Sequence, residues 1–141
     1  MDMRLKELIR VMITEEMADV SVYTVEAKLY GDLPRIGDKL YELFTRLAHE
    51  KRTRLKGLSK ISKEGVGFRQ RKTAGACSIE ACLRTHVTRT ERSVQLYRDL
   101  LKLLVKPETQ EMLKEIIAQE RGYLAALKEL RAQFTEPEKT K

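Results

Sequence analysis

The sequence contains little glycine, proline or cysteine and no long apolar run. Its 141 residues include 7 Gly and 3 Pro, with 42% hydrophobic and 35% charged residues. This composition is typical of long amphipathic helices joined by few loops. No segment approaches the roughly 20 apolar residues of a membrane span, and the first residues lack the apolar region of a signal peptide. We expect one soluble, cytoplasmic domain over residues 1–134, followed by a polar tail over 135–141.

Cysteine chemistry is also sparsely represented. Cys77 and Cys82 lie five residues apart, which puts them on different sides of a helix and argues against a disulfide between them. They do not form a Cys-x-x-Cys motif, so the pattern favours two free thiols. No glycine-rich phosphate loop and no Ser/His/Asp arrangement is recognisable.

Apolar residues recur at three- and four-residue steps and predict four helices, over about 4–30, 36–61, 78–105 and 108–134. Ser78 is a candidate N-cap, and Pro107 cannot continue a helix interior. The inward series 44, 47, 48, 51, 54, 58 maps onto 113, 116, 117, 120, 123, 127 with a constant offset. Two similar helical hairpins joined by the segment 62–76 predict an all-α, antiparallel four-helix bundle with one long crossover between helices 2 and 3.

Charged residues interrupt the apolar stripes of three predicted helices. Glu16 and Glu120 lie on inward positions of the first and fourth helices, and Lys51 and Arg54 lie on inward steps of the second. A carboxylate in such a place is costly unless a partner compensates it. His86 also lies on an inward stripe, where we favour a hydrogen-bonded core histidine over a metal ligand.

Several short patterns resemble the ferritin-like superfamily and, within it, the rubrerythrin family. The resemblance runs from about Leu8 to Leu130. It is carried by Glu16 with Tyr23-Thr24, Phe44-x-x-Leu47-Ala48, Ser93-Val94-Gln95-Leu96-Tyr97, and Ile116-x-x-x-Glu120-Arg121-Gly122-Tyr123-Leu124.

The resemblance implies a di-iron site, a homodimer, and peroxide reduction or iron oxidation as the activity. In that family a Glu from the first and third helices and a Glu-x-x-His from the second and fourth hold two irons. Glu16 and Glu120 match two of these positions. The remaining positions depart from the pattern, because they hold Lys51, Arg54, Thr90 and Tyr123.

A second register offers a different set of metal ligands. Glu50 and Glu91 each lie one residue from an expected ligand position, so a tentative iron site for one or two ions consists of Glu16, Glu50, Glu91 and Glu120. One residue corresponds to about 100° of helix rotation. That rotation would turn Leu55 and Leu58 away from the core, so the apolar pattern disfavours this register.

A metal-free alternative explains the inward charges directly. Two buried carboxylates need nearby positive charge or must protonate. We therefore expect an internal charge network in which cations of the second helix replace the metal, made of Glu16, Lys51, Arg54, Glu120 and Tyr123.

The formal net charge of +7 is concentrated in one segment, because residues 51–72 contain nine basic residues and one acidic residue. This segment is either a solvated helix end and crossover or a patch that binds nucleic acid, an acidic protein or anionic lipid. Phe68 alone offers little stacking surface for single-stranded nucleic acid. The candidate anion patch is Lys56, Lys60, Lys63, Arg69, Arg71 and Lys72.

Three functions stay open from the sequence. We favour a rubrerythrin-like bundle that has lost its di-iron site and acts as a structural or interaction module, without a cofactor. The first alternative is an iron-dependent oxidoreductase with unusual ligands. The second is a basic bundle that binds a polyanion.

Overall fold

The structure is a computed structural model that describes residues 3–62 and 78–135. These residues form four helices, α1 (Met3–Tyr30), α2 (Gly37–Ser62), α3 (Ile79–Leu103) and α4 (Pro107–Thr135), and no strand occurs among them. For these residues, the prediction of four helices in an all-α fold is therefore confirmed. The segment 63–76 of the predicted crossover and the tail after residue 135 lie outside the described residues.

The helices pack in a manner consistent with a bundle. Helix α1 packs mainly against α2, and α3 packs mainly against α4. Further contacts join α1 to α3 and α2 to α4. Among the described helices, none is both long enough and apolar enough to cross a membrane.

Local sequence explains the ends of α3 and α4. Ser78 caps α3, and its side-chain oxygen accepts a hydrogen bond of 3.1 Å from the backbone N–H of Ala81, as predicted. Helix α3 ends at Leu103, two residues before the predicted end, because Leu104 adopts an extended conformation. Pro107 is the first residue of α4, where its fixed φ is favourable and its missing N–H costs nothing.

Two apolar clusters fill the interior. The first joins the C-terminal parts of α1 and α4 to the N-terminal parts of α2 and α3, with Tyr23, Phe44, Leu83 and Leu127 fully or almost fully buried. The second lies toward the other ends of the same helices and includes Ile9, Leu58, Tyr97 and Leu113. Buried charged residues occupy the positions between the two clusters on α1, α2 and α4.

Candidate functional site

Lys51 lies at the centre of the buried charged residues. Its Nζ is 3.0 Å from Glu16 Oε1, 3.1 Å from Asp19 Oδ2 and 3.1 Å from Glu120 Oε1. Lys51 is 1% exposed and Glu120 is 0% exposed, so these contacts are shielded from solvent. One ammonium group thus contacts carboxylates from two other helices. We call Glu16, Asp19, Lys51, Arg54 and Glu120 the buried charge layer.

Arg54 is the second cation of the buried charge layer. Its Nη1 donates to Glu16 Oε2 at 3.2 Å and to Glu120 Oε1 at 2.5 Å. The Nε and Nη2 groups both donate to the side-chain oxygen of Gln119, at 3.3 and 3.1 Å. The planar guanidinium can bind several acceptors at once. Arg54 therefore connects α2 to both α1 and α4.

Asp19 extends the layer to α3. Its Oδ1 accepts hydrogen bonds from Arg89 Nη2 at 2.7 Å and from Arg89 Nε at 3.1 Å. Arg89 also contacts Glu15 at 3.1 Å and is partly exposed. The three carboxylates of the layer consequently face three cations, of which Lys51 and Arg54 are buried.

Burial and charge act in opposite directions on the acidic residues. Burial raises the pKa of Glu16 above its usual value, although Lys51 and Arg54 oppose the shift. Burial would also raise the pKa of Glu120, but these two cations outweigh it and the pKa is lowered. The pKa of Asp19 is lowered in the same way, by Lys51 and Arg89 against the effect of burial.

The basic groups of the layer stay charged. Burial lowers the pKa of Lys51, but the carboxylates of Glu16, Asp19 and Glu120 more than compensate, and the pKa is raised well above its usual value. The pKa of Arg54 is raised by Glu16 and Glu120, also against burial. The layer therefore contains permanent positive charge at neutral pH.

These residues do not fit the two irons that the resemblance implies. The Lys51 ammonium lies within 3.1 Å of three carboxylate groups and so already supplies the positive charge that they share. A divalent cation there would be repelled by Lys51 and by Arg54. At the two positions where the resemblance implies histidine ligands, the chain has Arg54 and Tyr123.

The alternative ligand set is not brought together. Glu16 and Glu120 share Lys51 and Arg54, but Glu50 accepts a hydrogen bond from the Tyr123 hydroxyl. Glu91 is about half exposed and lies 4.0 Å from Lys128. Within residues 3–62 and 78–135, these carboxylates do not form a group that could hold a metal ion.

The expected charge network differs from the observed layer in two members. The structure brings together Glu16, Lys51, Arg54 and Glu120. Tyr123 does not hydrogen-bond to them, because its hydroxyl reaches Glu50 near the surface of the bundle. Asp19 belongs to the layer and was not anticipated. Its position three residues after Glu16 puts it on the same helix face, which is the sequence signal for its inclusion.

The candidate anion patch is described only in part. Lys56 and Lys60 are exposed on α2. Lys63, Arg69, Arg71 and Lys72 lie outside the described residues. Anion binding by this patch stays a prediction.

A second polar group lies in the first apolar cluster. His86 Nε2 is 2.5 Å from Glu26 Oε1, and the imidazole stacks on Tyr23 with ring centroids 4.3 Å apart. The Cys82 thiol hydrogen-bonds to Glu26, and burial together with this carboxylate raises the thiol pKa. His86 is thus in the core, as expected, but its partner Glu26 was not anticipated from the sequence.

Comparison of the chain with family models, with curated proteins and with solved structures finds no match. Its function is therefore inferred from the residues themselves.

Proposed function

We propose that this chain is a rubrerythrin-like, ferritin-like bundle in which an internal ion-pair layer has replaced the di-iron centre, and that it acts as a structural or interaction module. The observation that carries the proposal is the position of the Lys51 ammonium, within 3.1 Å of Glu16, Asp19 and Glu120. The proposed family rests on the resemblance in sequence, and the contacts of Lys51 support the proposed loss of the metal.

The distribution of the core supports a ferritin-like arrangement. The first apolar cluster combines late residues of α1 and α4 with early residues of α2 and α3. The second combines early residues of α1 and α4 with late residues of α2 and α3. This pattern is expected when α1 runs opposite to α2 and α3 runs opposite to α4, with a long connection between α2 and α3.

The register of the charged residues supports the proposal further. Glu16, Lys51 and Glu120 come from three different helices and meet at one level between the two apolar clusters. In the resembling family, the metal ligands likewise project inward from all four helices of the bundle. Thr90 of α3 is also buried, and the resemblance places the glutamate of the third helix at this position.

The charge of the layer disfavours iron chemistry. A di-iron carboxylate centre uses acidic ligands to balance two cations. Here Lys51 and Arg54 already provide that balance and retain their charge. The Lys51 and Arg54 side chains are not redox groups, and in this proposal the layer they form has a structural role. Buried ion pairs of this kind can select one register among several packings.

Iron analysis tests the proposed function. The 141-residue chain is produced with added iron, and its metal content and optical spectrum are measured. We expect no oxo-bridge absorption and no pair of irons per chain. Two irons per chain with an oxo-bridge absorption would contradict the proposal and would favour an iron-dependent oxidoreductase with unusual ligands.

The homodimer implied by the resemblance belongs to the same proposal. Helices α1 and α2 expose apolar side chains at Val11, Leu29 and Tyr41, which would be available to a second copy of the bundle.

A further inference from the structure

Three side chains with different metal-binding groups lie next to one another in the core: Glu26, Cys82 and His86. One ligand atom from each residue, a carboxylate oxygen, a thiol sulfur and an imidazole nitrogen, lies within 4.8 Å of the other two. The three residues are 1%, 1% and 3% exposed. Such a group differs from the buried charge layer, because no lysine or arginine lies among its three members.

The local structure holds these side chains in a defined arrangement. Cys82 and His86 are four residues apart on α3 and therefore project from one face of that helix. Glu26 projects from α1, which packs against α3. The imidazole of His86 stacks on Tyr23 and meets the edge of Phe44 at a centroid distance of 5.7 Å. Helices α1 and α3, together with the rings of Tyr23 and Phe44, thus position the ligands.

We propose that Glu26, Cys82 and His86 form a binding site for a divalent metal ion of the zinc class. Zinc accepts thiolate, imidazole and carboxylate ligands, commonly in a tetrahedral arrangement. This combination of sulfur, nitrogen and oxygen donors is poorly suited to magnesium or calcium, because these ions prefer oxygen ligands. Three protein ligands leave one tetrahedral position for water or another small ligand.

The geometry requires only a local adjustment. Zinc bonds of about 2.0–2.3 Å imply ligand separations of roughly 3.3–3.8 Å in a tetrahedron. The His86 Nε2 to Glu26 Oε1 distance of 2.5 Å is shorter, because the two groups share a hydrogen bond. Metal binding therefore requires these two atoms to move about 1 Å apart.

Metal binding displaces protons from the ligands. The Cys82 S–H bond breaks, the sulfur bonds to the metal, and one proton leaves to solvent. The proton held between His86 Nε2 and Glu26 Oε1 is also displaced, because both atoms bind the metal. If Nε2 carries this proton, the neutral imidazole ends with its one proton on Nδ1 and no further proton is released; if Glu26 carries it, Nδ1 is already protonated and a second proton leaves to solvent. His86 Nδ1 is buried and has no hydrogen-bond partner among the described residues. No oxidant or reductant is needed.

This inference does not depend on the proposed function. The three residues lie with the first apolar cluster, whereas the di-iron question concerns the buried charge layer. Without metal, the same residues would form a core hydrogen bond beside an inert, buried thiol. Titration with a metal ion separates the two possibilities.

Cobalt(II) is the probe for the first experiment, because it substitutes for zinc and reports thiolate ligation in its optical spectrum. The 141-residue chain is treated with a chelator and titrated with cobalt under reducing conditions. We expect one cobalt per chain, a thiolate-to-cobalt charge-transfer band in the near ultraviolet, and visible bands of tetrahedral intensity. Failure to bind cobalt would overturn the proposal.

Matched cysteine variants assign the band. Cys82→Ser should abolish the charge-transfer band, whereas Cys77→Ser should retain it. Glu26→Gln and His86→Gln should each weaken cobalt binding tenfold or more while circular dichroism stays unchanged. A band that disappears with Cys77→Ser and persists in Cys82→Ser would place the metal elsewhere and would overturn the proposal.

A measurement on the unmodified chain covers the case in which a variant fails to fold. X-ray absorption of the zinc-loaded protein should show one sulfur at about 2.3 Å and nitrogen or oxygen ligands at about 2.0–2.2 Å. Coordination by nitrogen and oxygen alone would exclude Cys82 as a ligand and contradict the proposed site.

Discussion

At the scale of single residues, Lys51 is a buried cation surrounded by acidic groups. Its ammonium contacts three carboxylate groups and is 1% exposed. Removing such a charge from water is costly, and the cost is compensated only when good contacts remain. The charged form of Lys51 is therefore stabilised by Glu16, Asp19 and Glu120, and Lys51 in turn stabilises these carboxylates.

Replacing Lys51 with methionine should destabilise the protein strongly. Lys51→Met retains the apolar stem, but Arg54 and Arg89 must then compensate three carboxylates without the ammonium. Breaking a buried ion pair in this way costs about 3–5 kcal/mol. The free energy of unfolding, measured with urea at neutral pH, gives the effect. Lys56→Met, at an exposed position of the same helix, is the matched control and should change stability by about 0.5 kcal/mol or less. An unchanged melting temperature for Lys51→Met would argue against the ion-pair layer.

At the scale of helices, Asp19 links three elements. Its carboxylate on α1 contacts Lys51 on α2 at 3.1 Å and Arg89 on α3 at 2.7 Å. The contacts between α1 and α3 are fewer than those within the α1–α2 and α3–α4 pairs. We infer that the Asp19–Arg89 pair helps to fix the position of α3 against α1.

Asp19→Asn should lower stability at neutral pH but have little effect in acid. The pKa of Asp19 is lowered in the folded protein, so its contribution is present above the unfolded value of about 3.9. It is lost as the pH falls through the lower, folded value. The difference in unfolding free energy between the two proteins should be about 1.5–3 kcal/mol at pH 7. It should then shrink steadily below about pH 4.

Urea unfolding of the wild type and Asp19→Asn at several pH values provides the measurement. The pKa of Glu16 is raised chiefly by burial, and the Asp19 charge is the smallest of its causes, so most of this opposite shift cancels in the difference. Asp32→Asn, at an exposed position after α1, is the control. A difference that stays constant from neutral to strongly acidic pH would contradict the assignment of a lowered pKa to Asp19.

Helical periodicity could predict the four helices and the inward positions of Glu16, Lys51, Arg54 and Glu120. The Ser78 cap was also recognisable, because capping depends on local sequence. Asp19 and Glu26 were not recognised, since each lies beside an apolar stripe and a modest helix rotation decides whether such a side chain faces inward.

Tertiary contacts could not be predicted in the same way. Whether Tyr123 meets Arg54 or Glu50 depends on where its ring emerges between helices, and the spacing of residues does not contain that information. The pairing of Glu26 with His86 likewise requires the relative position of α1 and α3. The sequence pattern indicates candidates for a buried site, and helix packing selects their partners.

At the scale of the whole molecule, the buried charge layer divides two apolar clusters that involve all four helices. The helices must align so that Glu16, Lys51 and Glu120 meet at one level. This requirement specifies the register more strictly than apolar packing alone. In our proposal, the layer retains the position of a di-iron centre while replacing its chemistry.

Restoring the metal ligands tests this central claim most directly. The parent protein is Cys82→Ser, which removes the proposed zinc-class site from the measurement. A second protein adds the four substitutions that recreate the family's ligand set, Lys51→Glu, Arg54→His, Thr90→Glu and Tyr123→His. Both are loaded with iron(II) in air, and the iron content per chain and the optical spectrum are measured.

We predict no iron pair in the parent, and two irons per chain with an oxo-bridge absorption in the protein with the restored ligands. Two irons in the parent would show that Lys51 and Arg54 do not replace the metal. A folded protein with the restored ligands that binds no iron would show that these four positions do not form a ferritin-like metal centre.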